Sequence, residues 1–440
     1  MKRIFVFLFF ACLVCGVNAQ TSNNANAASV IYEVNVRQFS KEGTFVEVQK
    51  ALPRLKAMGV DILWLMPINP IGIKNRKGTL GSYYAVKDYK GVNSEFGTLT
   101  DFKNLVNETH NKGMRIIIDW VANHCSPDNV WLDQGHKDWY TLDSSGNVQP
   151  TIGTDWWDVA DLNYDNQAMR KEMIASMKYW VQECNIDGFR CDVAGWVPMD
   201  FWLQARTELE TVKPLFLLAE SEGADQHQAF DMTYGWEFHH IMNKIAQGKA
   251  EPSEILTYLV KDDREYPNNA FRMYFTSNHD ENSWNGTEME RMGDARFVMA
   301  VLSYALNGMP LIYNGQETSL DRRLLFFEKD QINWDKMDLV SFYTTLNSLK
   351  NNVCLAADRT NSLITTELVN NGKVLIIHRT SVNAPGSEVL FYLNLSKEAQ
   401  TVTGPIASKA KFTNVFTGKC FKIKKKPIKL SPWGYLVLEK

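Results

Sequence analysis

Between Ile31 and Tyr313 the chain switches repeatedly between short, wholly apolar runs and longer stretches with apolar residues at helical spacing. Short apolar runs bounded by Gly, Pro or Asp predict buried strands, and three- and four-residue spacing predicts helices packed on one face. Ile31–Arg37 alternates as a strand. Asp61–Met66, Met114–Asp119, Gly188–Asp192, Leu215–Ala219, Phe271–Thr276 and Met309–Tyr313 follow as further strands, with a weakly marked one near Ala229–Met232. Helical spacing covers Val46–Met58, Leu99–Lys112, Gln167–Cys184, Pro198–Val212 and Glu290–Leu306. This alternation predicts a parallel sheet, and about eight such units fit an α/β (β/α)8 TIM barrel with insertions. An open doubly wound sheet is the structural alternative, but no glycine-rich phosphate loop follows the first strand.

Two stretches break the rhythm. His124–Asn166 has no periodicity and carries Trp131, Trp139, Tyr140, Trp156 and Trp157. Loops longer than about 15 residues in compact domains are usually functional. These tryptophans either form a small core for an inserted loop domain, 124–166, or line a cleft. Beyond Val353 the pattern becomes strands only, SLITTEL, KVLIIHR, EVLFYLNL, KFTNVF and GYLVLEK, with turns at NNG, APGS and TGK. That predicts a C-terminal antiparallel β-sandwich over 353–440, leaving 29–352 for the barrel. The basic run Lys422–Lys429 reads as a solvated strand face.

The amino terminus has a different character. Lys2 and Arg3, the apolar run Ile4–Val14 and the small-residue site Val17-Asn18-Ala19 predict a signal peptide over 1–19. The run is too short for a membrane span. The residues before Cys12 and Cys15 match a lipoprotein site poorly, so a secreted or periplasmic protein is expected. The polar segment 20–28 reads as a disordered leader. Removing residues 1–19 takes away Lys2 and Arg3 and no acid, so the net charge of −3 becomes −5. That mild acidity does not point to nucleic acid or an anionic membrane. Cys125, Cys184, Cys191, Cys354 and Cys420 are odd in number and widely scattered, which argues against a disulfide framework or a cysteine metal site.

The chemistry is concentrated where strands end. Asp192 closes GFRCD, Glu220 closes LFLLAE and Asp280 follows FTSNH. Ionised acids are seldom buried without partners, so three strands ending on acids imply carboxyl groups gathered at one barrel mouth. Such a set suits glycoside hydrolysis, where carboxyl groups flank a bond whose cleavage develops positive charge. Arg190 lies two residues before Asp192 on the same strand face, placed to orient it and keep it ionised. Glu220 follows an apolar run whose desolvation would favour its protonated form.

Several ordered motifs together resemble the α-amylase family, glycoside hydrolase family 13. They are DWVANH (Asp119–His124), VADLN (Val159–Asn163), GFRCD, LLAE (Leu217–Glu220), SNHD (Ser277–Asp280) and GMPLIYNGQE (Gly308–Glu317). The resemblance runs from Ile31 to the C-terminus. It implies Asp192 as nucleophile, Glu220 as general acid/base and Asp280 as transition-state stabiliser. It also implies sugar contacts from His124 and His279, and an aromatic platform at Tyr84. Asn123 and Asp161 match positions that ligate calcium in the family; the alternative is that they hydrogen-bond the loop to the barrel. Gly195 and Trp196 stand where relatives often carry Lys-His, and Gly81 and Ser82 match neither the exo- nor the endo-acting pattern before Tyr84. The implied activity is hydrolysis of α-1,4-glucosidic bonds in starch-derived glucans or maltooligosaccharides. An α-1,6-acting oligosaccharidase, a transglycosylase and an inactive glucan-binding relative are the alternatives.

Overall fold

Alternate residues of eight short strands turn into one common interior, because each strand is too apolar to leave either face in water. In the computed structural model, which describes residues 29–403, 410–423 and 427–440, these are β1 (Ile31–Val34), β2 (Ile62–Leu65), β3 (Arg115–Trp120), β4 (Gly188–Cys191), β5 (Phe216–Ala219), β6 (Met232–Tyr234), β7 (Phe271–Tyr274) and β8 (Met309–Tyr313). They pair in parallel, each with its neighbour in sequence, and β1 closes on β8. Closure rules out the open doubly wound sheet. The signal peptide read from 1–19 and the leader at 20–28, with Cys12 and Cys15, lie outside the described residues.

The barrel floor is apolar. Ile31, Ile62, Ile117, Phe216, Met232, Phe271 and Met309 meet inside it. The opposite strand face packs on helices α1 (Phe45–Ala57), α2 (Leu99–Asn111), α3 (Gln167–Cys184), α4 (Met199–Glu210), α5 (Trp236–Ala246), α6 (Ser253–Glu265), α7 (Arg296–Ala305) and α8 (Val340–Lys350). Helix α1 shows why: Phe45, Val48, Leu52 and Leu55 are buried on one stripe. Helix α2 starts at a capping box in which Thr98 and Asp101 satisfy each other's backbone N–H groups.

Three predicted boundaries move, each for a local reason. Strand β1 ends at Val34 rather than Arg37, because the Asn35 side chain accepts from Gln38 N and starts a short helical turn, Val36–Phe39. Strand β6 begins at Met232 rather than Ala229, because Ala229 and Phe230 donate their N–H groups to Gln226 O and close a turn. The helix expected over Glu290–Leu306 is broken at Gly293, which takes φ +53°, into Glu288–Met292 and α7. Helices α5, α6 and α8 carry no assignment in the sequence reading.

The C-terminal region holds a six-stranded antiparallel sheet and a smaller two-stranded one. Its strands are β9 (Ser362–Val369), β10 (Val374–Ser381), β11 (Glu388–Asn394), β12 (Gln400–Val402), β13 (Lys411–Asn414), β14 (Cys420–Lys422), β15 (Ile428–Leu430) and β16 (Tyr435–Glu439). The large sheet runs β9-β10-β11-β16-β13-β14, and β12 pairs with β15. Strand β12, only three residues long, went unpredicted, and β14 and β15 take in only the two ends of the run Lys422–Lys429 read as a strand face. Val374, Ile376, Leu390 and Leu438 face Val402, Ile428 and Leu430 in a separate core. Buried Arg379 of β10 ties this sheet to the barrel by donating to Ala305 O at 2.6 Å. Of the basic run Lys422–Lys429, residues 424–426 lie outside the described residues.

Close strand contact matters most between β4 and β5. A Cβ added at Gly188 would sit 1.8 Å from Phe216 O, so only glycine lets β4 approach this near. Gly188→Ala should therefore lower unfolding free energy by about 1–3 kcal/mol, the usual cost of forcing backbone shifts. Chemical denaturation measures it, and an unchanged midpoint would mean the approach is not tight.

Candidate active site

Toward the C-terminal ends of the strands the inward positions change from apolar to polar. Arg190 of β4 is fully buried and lies in register with Asp119 of β3. Its Nη1 donates to Asp119 Oδ1 at 2.9 Å and to Asp192 Oδ1 at 3.0 Å, and its Nη2 forms an ion pair with Glu220 Oε1 at 2.8 Å. Its Nε donates to Tyr234 Oη at 3.1 Å, and Trp64 covers the guanidinium at 5.0 Å. One cation thus straddles the ends of β4 and β5 and holds Asp192 and Glu220 beside each other. The chain turns immediately after Asp192 through Val193, a β-branched residue at φ 36°, and its N–H donates to Glu220 Oε2 at 2.8 Å. Such a conformation is costly for a branched side chain and persists only where surroundings enforce it.

These surroundings set the charges. Burial pushes Asp119 up to about 6 against the pull of Arg190. Burial and then the Glu220 carboxylate push Asp192 well above the usual carboxylate range, with Arg190 opposing. The expectation that Glu220 sits in an apolar setting is corrected here, since its oxygens meet Arg190 and the Val193 N–H. His279 is clamped by Glu33 Oε1 at 2.5 Å on Nδ1, and its Nε2 lies 2.7 Å from Tyr84 Oη and 3.3 Å from Asp280 Oδ2. Burial would lower its pKa, but Asp280 and Glu33 outweigh burial and raise it to about 9. His124 has no such acids around it, and burial lowers it to about 3, so it is neutral. Tyr84 Oη donates to Asp119 Oδ2 at 3.1 Å, and its ring lies nearly parallel to His279.

Asp192, Glu220, Asp280, Tyr84, His124 and His279 all line one pocket of about 590 Å³, with Arg190 packed beneath the carboxylates. The size is ordinary for a small-molecule site. The insertion's tryptophans divide between both expected roles. Trp131 and Trp139 are buried against each other, while Trp156 and Trp157 line the pocket. Trp156 stacks on Trp196 at 5.5 Å and tilts over His124 at 5.3 Å.

Asn123 and Asp161 come together at a two-residue ladder in which His124 pairs with Asp161. The Asn123 amide donates to Thr151 Oγ1 at 3.2 Å, so it does hydrogen-bond the insertion. Its amide oxygen and the Asp161 carboxylate are hard oxygen donors that fit calcium in kind. Among the described residues no three His, Cys, Asp or Glu side chains cluster to hold a metal, so calcium here would lean on carbonyls and water. Sequence reading missed Glu33, Asp119, Trp64 and Tyr234 as parts of the site. Glu33 and Asp119 carried a signal, being acids near the ends of apolar strands.

Comparison with known proteins agrees with this geometry. Residues 19–340 match the model of the α-amylase catalytic domain. The α-amylase MalA of Haloarcula japonica is 26% identical over 86% of this chain, which spans 57% of that protein's length. The crystal structure of an α-amylase from Lactobacillus plantarum superposes with a TM-score of 0.85 at 33% identity, covering 94% of this chain and 99% of that one. A noncanonic maltogenic α-amylase, AmyB of Thermotoga neapolitana, gives a TM-score of 0.83 at 32% identity, covering 94% of this chain and 98% of its own. With the catalytic-domain model matched across the barrel and a carboxylate cluster at its mouth, this chain belongs to the α-amylase family.

Proposed function

We propose that the protein is an exported retaining glycoside hydrolase that cleaves α-1,4-glucosidic bonds in starch-derived glucans or maltooligosaccharides. The observation that carries this is the single buried guanidinium of Arg190 straddling Asp192 and Glu220 in a pocket that also holds Asp280. Retention needs two carboxyl groups about 5–5.5 Å apart, one ionised and one protonated. Two carboxylates beside one cation favour a single shared proton, and the Glu220 carboxylate adds to burial in raising Asp192. In the productive state that proton is on Glu220.

The steps follow from these positions. An Asp192 oxygen attacks the anomeric carbon of a sugar held at Tyr84 while the glucosidic C–O bond breaks. Glu220 gives its proton to the departing oxygen. Asp280 stabilises the positive charge that develops on the ring, and the cationic His279 and neutral His124 serve as hydrogen-bond donors to hydroxyls. Glu220, now ionised, then takes a proton from water as the water oxygen attacks the same carbon and releases Asp192. A calcium ion held by Asn123 and Asp161 would be structural, pinning the insertion to the barrel.

Purified protein should release reducing sugar from maltoheptaose, with pullulan and isomaltose as controls for α-1,6 action. Asp192→Asn should reduce the rate roughly 10⁴-fold or more while the circular dichroism spectrum stays unchanged, since such residues act as a unit. A folded variant at wild-type turnover would remove Asp192 from the role. Glu220→Gln should keep the first step on α-maltosyl fluoride, whose leaving group needs no proton. Because the Glu220 carboxylate raises Asp192, its removal should move the acid limb of that rate to lower pH; a limb that stays put or rises would mean the two groups are not coupled. Excess chelator should lower the melting temperature, because an ion binding only the native state adds about 2.7 kcal/mol at a hundredfold excess over its Kd. An unchanged melting curve together with no metal by elemental analysis would leave Asn123 and Asp161 as hydrogen-bonding residues.

A further inference from the structure

The segment from Asn75 to Gly81, which leads into Tyr84, crosses from one wall of the pocket to the other. On the insertion side Lys77 Nζ lies 3.3 Å from Asp158 Oδ1, donates to Asp155 O at 3.2 Å and sits 4.1 Å from the centre of the Trp157 ring. Asn75 Nδ2 adds a bond to Trp157 O at 3.2 Å. On the opposite side Thr79 N donates to Glu328 Oε1 at 2.8 Å, the Thr79 hydroxyl bonds Glu328 Oε2, and Leu80 N donates to Phe327 O at 3.1 Å. Glycine is required at the second anchor. Gly78 has φ +61°, and a Cβ there would come within 2.5 Å of the Phe327 Cβ. The Lys77 and Asp158 side chains are 15% and 5% exposed, so their attraction is less screened than that of a surface pair. Lys77 and Phe327 both line the pocket.

The second anchor stands beside the Tyr84 ring. Phe326, beside the second anchor, is nearly parallel to the Tyr84 ring at 6.2 Å. Glu220, the proposed proton donor to the leaving oxygen, is bonded instead to Val193. Trp196, just beyond it, is 56% exposed and outside the strap's contacts. A glucan has direction: the sugar attacked at its anomeric carbon carries the non-reducing part of the chain on its O4. With the leaving oxygen at Glu220, that O4 points away from Glu220.

We propose that the strap 75–81, fastened by Lys77 to the insertion, bars the cleft on the non-reducing side, so that the protein acts from non-reducing chain ends and releases short products. The proposal rests on the hydrolase activity proposed above. The Lys77 ammonium would then meet the terminal hydroxyls of the bound chain end.

The test uses maltoheptaose labelled at its reducing end, in one form with a free non-reducing end and in another with that end blocked as a 4,6-acetal. The wild-type protein should cleave the free form and leave the blocked one essentially intact. Lys77→Ala combined with Asn75→Gly, which keeps the left-handed turn, should raise the blocked-to-free rate ratio about tenfold or more, as expected for losing bonds to charged partners. Equal cleavage of both forms by the wild type would overturn the proposal, as would an unchanged ratio in a variant with the wild-type circular dichroism spectrum. Cleavage of neither form would instead remove the hydrolase activity itself, and this proposal with it.

Discussion

A guanidinium without access to water must be matched by acids, and Arg190 meets that demand inside the barrel. Desolvating a charge costs several kcal/mol unless excellent geometry repays it. Arg190 is matched by Asp119, Asp192 and Glu220, and its Nε donates to Tyr234. Removing any one acid would disturb the others, so this cluster defines how β3, β4 and β5 end. It also carries more acid than base. Burial lifts Asp119 to about 6 and Asp192 well above its ordinary range, and neighbouring carboxylates add to it.

The barrel separates support from chemistry by depth. Its lower layers are apolar side chains such as Ile62, Phe216 and Met309, which need no partner beyond one another. The upper layer holds Arg190 and its acids, where loops from several strands can reach them. Gly188 couples the two levels, because the close approach of β4 to β5 brings Asp192 beside Glu220. Val193 then carries local strain in exchange for an N–H aimed at Glu220. A second acid-bounded clamp on the far side, Glu33–His279–Asp280, raises His279 to about 9 and keeps it cationic at neutral pH.

Much of this was legible in the sequence because period-two and helical patterns report burial directly. The strands ending at Asp192 and Glu220 and the helix Gln167–Cys184 stood out for that reason. Strand β6 did not, because only Met232–Tyr234 pairs, and the flanking residues close a turn whose bonds depend on Gln226. Glu33 carried a signal as an acid in an apolar strand, but its partner was hidden because His279 is 246 positions away. The insertion's tryptophans could not be sorted by sequence, since Trp131 and Trp157 differ only in what packs beside them. The strap was equally hidden: Lys77 and Thr79 look like ordinary loop residues until Asp158 and Glu328 arrive from distant parts of the chain.

In the proposed reaction Arg190 holds Asp192 and Glu220 close enough for direct attack, with no room for water between nucleophile and sugar. Proton NMR of the first product formed from maltoheptaose tests this before mutarotation obscures it. The α-anomer is expected, from two successive inversions at the same carbon. The β-anomer appearing first would show a single displacement by water and would contradict the roles given to both carboxylates.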